Sequence, residues 1–137
     1  MAAEYKLIDN SPAYLSELNT KVQVALDACA EQAVSHAKSI ITRNKRVDTG
    51  MMRNSVAKGV VGETAYIGTN MPYAVYHELG TGIYASQGGG RRTPWTFVGR
   101  DGKRHWTRGV KPIHFIRDAI ADHEAEYRQI IEQEMKK

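Results

Sequence analysis

Cysteine is nearly missing from this chain. Cys29 is the single one among 137 residues, so no internal disulfide can form. It falls among the apolar positions of a helical pattern, where a buried thiol is the expected state, and a reducing cytoplasm is the natural place for such a chain to fold. Long apolar runs are missing too. A membrane-spanning helix needs about 20 consecutive apolar residues, and no stretch here approaches that. Nor does a basic region followed by an apolar stretch open the sequence, so no export signal is expected. With 42% hydrophobic and 25% charged residues, the composition is that of an ordinary globular domain, which argues against wholesale disorder. At this length one core is expected, since two would each be too small to bury enough apolar surface.

The net charge of +4 is modest but unevenly placed. Between positions 91 and 111 lie Arg91, Arg92, Arg100, Lys103, Arg104, Arg108 and Lys111, against Asp101 alone. That segment carries a local excess of six positive charges and leaves the rest of the chain at −2. Such a patch suits nucleic acid or an acidic protein face, although a solvated hairpin without a partner has the same composition.

Ser11-Pro12 reads as a helix start, because serine accepts a hydrogen bond from a free N–H and proline is tolerated in the first turn. Leu15, Leu18, Val22, Leu26, Cys29, Ala33, Ala37 and Ile40 then recur at three- and four-residue spacing, predicting a helix over 12–43. At 1.5 Å per residue this rod is roughly 45 Å long, more than a domain of this size requires, so part of its stripe is expected to be covered by another subunit. A hairpin is expected over 53–69. Its strands are Ser55 to Val61 and Thr64 to Thr69, joined by Gly62-Glu63 in a type II′ turn with Val60 facing Ala65. Tyr73 to Leu79 is too brief a run for its periodicity to choose between a short helix and a strand, and a short helical turn closed by Gly80 is the favoured reading. The glycine-rich stretch 83–93 is expected to be a flexible loop. A second hairpin is expected over 95–108, turning at Asp101-Gly102 with Phe97 opposite Trp106. Lys111-Pro112 opens a last helix over 112–135, with Ile113, Ile116, Ile120, His123, Tyr127 and Ile130 on one stripe. The fold class is therefore a single α+β domain: a long N-terminal helix, an antiparallel sheet built from two β-hairpins, and a C-terminal helix packed on the same sheet face.

Enzymatic chemistry finds little support. Asp48-Thr49-Gly50 matches the active-site triplet of aspartic proteases, and the small dimeric kind would predict peptide cleavage lost on Asp48→Asn. The triplet follows a long helix and Arg43-Asn44-Lys45-Arg46-Val47, however, where that chemistry needs an apolar strand in an all-β fold. A structural cap or turn is the better reading. His77, Glu78, His105, His114 and His123 show no paired zinc spacing, so no metal site is expected, and His123 reads as a core histidine on the stripe of the last helix. Gly88-Gly89-Gly90 lacks the Lys-Ser or Lys-Thr ending of a phosphate loop, and no strained Gly-x-Ser-x-Gly elbow is present. No catalytic residue and no cofactor are expected. Trp95, Phe97 and Trp106 interleave with Arg100, Lys103, Arg104 and Arg108, a mixture able to stack on bases and hold phosphates. Aromatics paired across a hairpin more often form its apolar face.

Three stretches, taken in order, resemble a known family. Asp48-Thr49-Gly50-Met51-Met52-Arg53-Asn54-Ser55 is similar to a family Asp-Thr-Gly-x-Leu-Arg-x-Ser, with Met52 preserving the apolar bulk of leucine. Tyr73-Ala74-Val75-Tyr76-His77-Glu78-Leu79-Gly80-Thr81-Gly82 resembles its Tyr-Ala-x-x-x-Glu-x-Gly-Thr. Thr93-Pro94-Trp95, a glycine-containing hairpin, and Thr107-Arg108-Gly109-Val110-Lys111-Pro112-Ile113-His114-Phe115-Ile116-Arg117-Asp118-Ala119 resemble its Thr-Arg-Gly-x-x-Pro-x-x-Phe-Leu-x-x-Ala ending. The family is that of the head-tail joining and tail-completion proteins of long-tailed bacteriophages and prophages. The resemblance implies a non-enzymatic morphogenesis protein, present as repeated copies around the DNA channel between the head's portal-adaptor complex and the tail terminator or tail tube. It also implies structural roles for Asp48, Thr49, Gly50, Arg53, Ser55, Tyr73, Ala74, Glu78, Gly80, Thr81, Pro94, Trp95, Pro112 and Phe115. Glu78 and Arg53 would hold the central loop against the hairpin, and Gly80-Thr81-Gly82 would reverse the chain. Arg91, Arg92, Arg100, Lys103, Arg104 and Arg108 would face DNA phosphates or an acidic partner. A free, basic, non-sequence-specific DNA-binding protein is the rival reading.

Overall fold

A computed structural model describes residues 7–46, 50–99 and 101–137. Along the chain run α1 (Ser11–Arg43), α2 (Met51–Ser55), the strands β1 (Ala57–Val61) and β2 (Thr64–Gly68), and α3 (Ala74–Leu79). A single 3-10 turn (Gly82–Tyr84), β3 (Trp95–Val98), β4 (Arg104–Thr107), α4 (Phe115–Ala121) and α5 (Glu124–Met135) complete it. The class is α+β, as the periodicities imply.

The axis of the molecule is α1. Its start differs from expectation in one detail: Asn10 stands at the cap position, and Asp9 Oδ1 accepts the Ser11 N–H at 2.9 Å. No residue of α1 before Ala25 is buried, and Leu15 of the predicted stripe is 56% exposed. The core lies instead at the C-terminal half. Val34, Ala37, Ile40 and Ile41 meet Met52, Val56, Ala74, Ile113, Phe115 and Ala119 there, with Phe115 and Ile41 fully enclosed. Burying a side chain of that size contributes about 1.5–3 kcal/mol, so this cluster, which the predicted stripe enters through Ala37 and Ile40, holds the domain together.

The first hairpin lies along α1 with Val60 paired to Ala65, the register the Gly62 turn predicts, and Gly62 has φ +59°. Lys58 bridges Asp27 at 2.9 Å and Glu31 at 2.8 Å, and Ile67 packs on the core. The hairpin starts later than expected. Residues 51–55 form α2, and Ser55 Oγ donates to Met52 O at 2.6 Å where a strand was expected to begin.

The two hairpins do not join into one sheet. Each is a separate two-stranded antiparallel sheet, and the C-terminal helices pack on α1 rather than across both hairpins. A shared sheet would require each hairpin to offer an apolar face to the helices. Only the first does so.

The predicted helix over 112–135 is also divided. Ile113 N–H donates to His77 O at 2.8 Å, which keeps Lys111-Pro112-Ile113 extended, and His114 takes a left-handed conformation (φ +48°) before α4 starts at Phe115. A break at Asp122-His123 then separates α4 from α5. Tyr127 Oη donates to Ala119 O across that break. Burial, aided by the charge of Glu126, pushes the Tyr127 pKa up to about 12, so the phenol keeps its proton for this bond. The α5 helix runs back along α1, where Cys29 Sγ reaches Tyr127 O at 3.5 Å. Cys29 is buried, as expected, and burial raises its thiol pKa and keeps it protonated. Among the described residues no helix is long and apolar enough to cross a membrane.

Candidate functional site

Two of the three family-like stretches lock into each other at the root of the second hairpin. The chain leaves α3 through Gly80 (φ +79°), and Thr81 then pairs with the segment after β4. Its N–H donates to Val110 O at 2.9 Å, its Oγ1 accepts the Val110 N–H at 2.8 Å, and Ile83 N–H donates to Arg108 O at 3.1 Å. The backbones approach so closely that side chains are excluded. A Cβ on Gly82 (φ +61°) would lie 1.9 Å from Arg108 O, and one on Gly109 (φ +136°) would lie 2.0 Å from Thr81 O. Both positions therefore need glycine twice over, for conformation and for space.

Glu78 completes the lock. Its Oε2 accepts the Ile116 N–H and its Oε1 the Arg117 N–H, each at 2.9 Å. These are free donors in the first turn of α4, so a carboxylate from α3 caps another helix and sits against its positive end. Next to it, His77 Nδ1 lies 2.9 Å from Arg46 Nη1, whose Nη2 also donates to Lys111 O at 3.0 Å. Partial burial, then the Arg46 charge, hold the His77 pKa below its usual value, which keeps the ring neutral and able to accept from the guanidinium.

From this root the second hairpin, β3–β4, projects with both faces in solvent. Trp106 is 62% and Val98 69% exposed, and of its described residues only Trp95 and Thr107, at the base, and Gly99, near the turn, are partly covered. Its register differs from expectation. Phe97 pairs with His105, and Thr96 with Trp106. Gly99 N–H donates to Lys103 O at 2.8 Å, which leaves a three-residue loop with Gly102 at φ +75° in its left-handed position, in place of a two-residue turn at Asp101-Gly102. A shift of one residue sends alternate side chains to opposite faces. Phe97 stacks on His105 at 5.5 Å on one face, while Trp106 lies on the other with Arg108 5.3 Å from its ring. The aromatics are therefore not pooled into one apolar face. Arg91 lies 5.5 Å over Trp95 at the base, and Arg92, Lys103 and Arg104 are exposed. Arg100 lies outside the described residues.

The remaining predicted residues fall in several places. Asp48 and Thr49 lie outside the described residues, and Gly50 begins α2 with φ +81°. Arg53 does not reach the central loop: its Nη1 bonds Thr42 Oγ1 on α1 at 3.3 Å, because α2 packs beside the end of that helix. Ser55 Oγ also meets Thr69 Oγ1, closing the first hairpin at its base. Ala74 and Phe115 belong to the core, and Tyr73 stands edge-on to His77 at 6.5 Å. Pro112 Cδ packs against Gly80, 2.8 Å from where a Cβ would stand, and Pro94 is exposed. In 83–93, Ser86 anchors the first part by donating its N–H and Oγ to Leu79 O at 2.8 and 2.7 Å.

Two further features escaped sequence reasoning. An apolar trough of about 220 Å³ opens between α1, the first hairpin and the C-terminal helices, lined by Leu26, Ala30, Tyr66, Ile120 and Ile131 among others. Further along α1, past Ala33 and Tyr127 of the trough lining, His36 stacks on His123 with ring centroids 3.4 Å apart, and Glu126 adjoins both. His123 is thus a partly exposed member of a cluster and not a core histidine. The His123-x-x-Glu126 spacing was visible as one helix face, but nothing local announced His36 as their partner.

The chain matches no family model, no curated protein and no solved structure.

Proposed function

We propose that this protein is a structural component of a tailed phage or prophage, acting at the head-tail junction as a joining or tail-completion protein. Ring-like self-association and protein contacts, without catalysis, carry that role. It would fold in the bacterial host's cytoplasm and end in the virion neck, between portal-adaptor proteins and the tail terminator or tube. The observation that supports the reading most is the interlocked root of the second hairpin. Residues that give the chain its family-like appearance, Glu78, Gly80, Thr81, Gly109 and Pro112, build an interlocked base for an arm that buries neither face. A ring subunit has a use for an apolar and basic hairpin held out in solvent, because each copy must present one surface to its neighbour and others to the structures above and below. The apolar trough and the exposed Tyr14, Leu15 and Val24 of α1 supply further surface of that kind.

The exposed cations on the arm also favour a second reading, a basic protein binding DNA through phosphates without reading sequence. Electron microscopy of lysates from a phage lacking this gene alone, beside a complemented control, separates the two. DNA-filled heads lying next to mature-length separate tails are expected. Normal infectious particles would overturn the joining role and leave the DNA-binding reading.

A further inference from the structure

We propose that His36, His123 and Glu126 form a binding site for a zinc-class divalent transition-metal ion, one that staples the start of α5 to the C-terminal half of α1. Their ligand atoms lie within 4.8 Å of one another, and Glu126 Oε2 lies 2.9 Å from His36 Nε2 and 3.6 Å from His123 Nδ1. In a tetrahedral zinc site, with bonds of about 2.0–2.1 Å, neighbouring donor atoms stand roughly 3.3 Å apart. The two separations bracket that value, and because the His36 and His123 rings stack in nearly parallel planes, with centroids 3.4 Å apart, both must turn out of the stack to direct their in-plane lone pairs at one ion.

The scaffold is suited to the task. His123 caps α5 and Glu126 lies three residues on, which puts both on one face of the helix, and His36 comes from a regular stretch of α1. Tyr127 stands edge-on to the His36 ring at 6.4 Å, and the Tyr127 hydroxyl is tied to Ala119 across the break before α5. His123 stands at the break between α4 and α5, in the position before the first residue of α5. Two imidazoles and one carboxylate favour zinc, cobalt or nickel over calcium and magnesium, which prefer all-oxygen shells. Side-chain exposures of 24% for His36, 33% for His123 and 37% for Glu126 leave a way in, with at least one coordination position open to water or to a ligand from a neighbouring molecule. The same three side chains would otherwise leave two stacked imidazoles to share one carboxylate oxygen.

The test uses the full chain and two probes, Co2+ for its visible absorption and Zn2+ for calorimetry and thermal denaturation. Binding of one equivalent is expected, with a cobalt spectrum typical of nitrogen and oxygen ligands at low coordination number. A hundredfold excess of Zn2+ over Kd should raise Tm by roughly 5–10 °C. Glu126→Gln should weaken binding about tenfold or more, the scale on which even supporting groups matter. His36→Gln with His123→Gln should abolish both the spectrum and the Tm rise, whereas His105→Gln, at the exposed pair with Asp101, should change neither. Failure of the wild-type chain to bind one equivalent would overturn the site, as would an unchanged isotherm in the double variant. The wild-type measurement decides the matter even if the double variant folds poorly.

Discussion

The first hairpin and the second are both short antiparallel pairs turning through a left-handed glycine, yet they stand in opposite relations to the rest of the molecule. Lys58 and Ile67 of the first lie against α1, where one is held by Asp27 and Glu31 and the other by the core. In the second, Phe97 and Trp106 occupy opposite faces, and neither face meets a helix. The difference arises in the alternation of residue types. The face of β1–β2 turned to α1 carries Val60, Ala65 and Ile67 beside a Lys58 that is paired with acids of the helix, whereas β3–β4 divides aromatic and basic residues between both faces. A hairpin with one apolar face is drawn into a fold, while one with two mixed faces is left for a partner and must be held by its base.

The base is where the comparison breaks most readily. Gly82→Ala should cost more than about 3 kcal/mol, because the added Cβ meets backbone oxygen at 1.9 Å in a left-handed conformation and no flexible side chain can yield. Gly88→Ala, at φ +73° in open space, should cost only about 1 kcal/mol. Urea denaturation of the two variants measures the gap, and equal losses would mean that the lock at Arg108 is not tight.

The hairpins themselves should differ in the same sense. Ile67→Ala in the first removes partly buried apolar surface from the core and should cost about 1–2 kcal/mol, while Val98→Ala in the second should stay within about 0.5 kcal/mol. Similar losses at both sites in thermal denaturation would show that the second hairpin packs on the body after all.

Next in size is the cap. Glu78→Ala leaves two N–H groups of α4 without their acceptor and should cost about 1–2 kcal/mol; Glu78→Gln, which keeps one acceptor and loses the charge, should cost less. The ordering can be read from denaturation midpoints. A smaller effect is expected from pH. His77 has a folded pKa below the unfolded value of about 6.5, so the unfolded chain binds the proton more readily between the two. The contribution of neutral His77 is complete above the unfolded pKa and is lost as pH falls through the folded one. His77→Gln should therefore flatten the stability curve below pH 6.5 and leave it unchanged above pH 7.5, as denaturation across pH 5–8 would record.

These sites were unequally legible in the sequence. The α1 helix, the register of Val60 on Ala65 and the closing of α3 at Gly80 follow from local rules of periodicity and turn chemistry, and the structure has all three. The second register could not be read so simply, because Asp-Gly suits a two-residue turn and also the end of a three-residue one, and only the wider backbone path chooses. The split of the last helix was hidden for a different reason. Pro112 is well suited to a first helical turn, but His77 O competes for the Ile113 N–H and Glu78 moves the start to Phe115. Both competitors sit more than thirty residues upstream. The cluster of His36 with His123 and Glu126 depends on the same long-range docking, as does the failure of the hairpins to join. What was read correctly was local; what was missed required knowing which face of one element another would cover.

The smallest expected effect on stability should accompany the largest on function. Lys103→Glu with Arg104→Glu reverses charge on an arm whose side chains lie in solvent, so the fold should lose no more than about 0.5 kcal/mol. If the arm meets DNA phosphates, duplex affinity should fall and its dependence on salt should become shallower by about two counterions, since each lost contact releases roughly one fewer. If it meets an acidic ring of the neck, heads and tails should fail to join while binding of the isolated protein to DNA is weak and unaltered, and a compensating acid-to-base change in that partner should restore infectivity. Full infectivity of the double variant, with unchanged stability, would remove the arm's charge from either role. The arm would then act through Phe97, Val98 and Trp106, the apolar side chains it also holds out from the body.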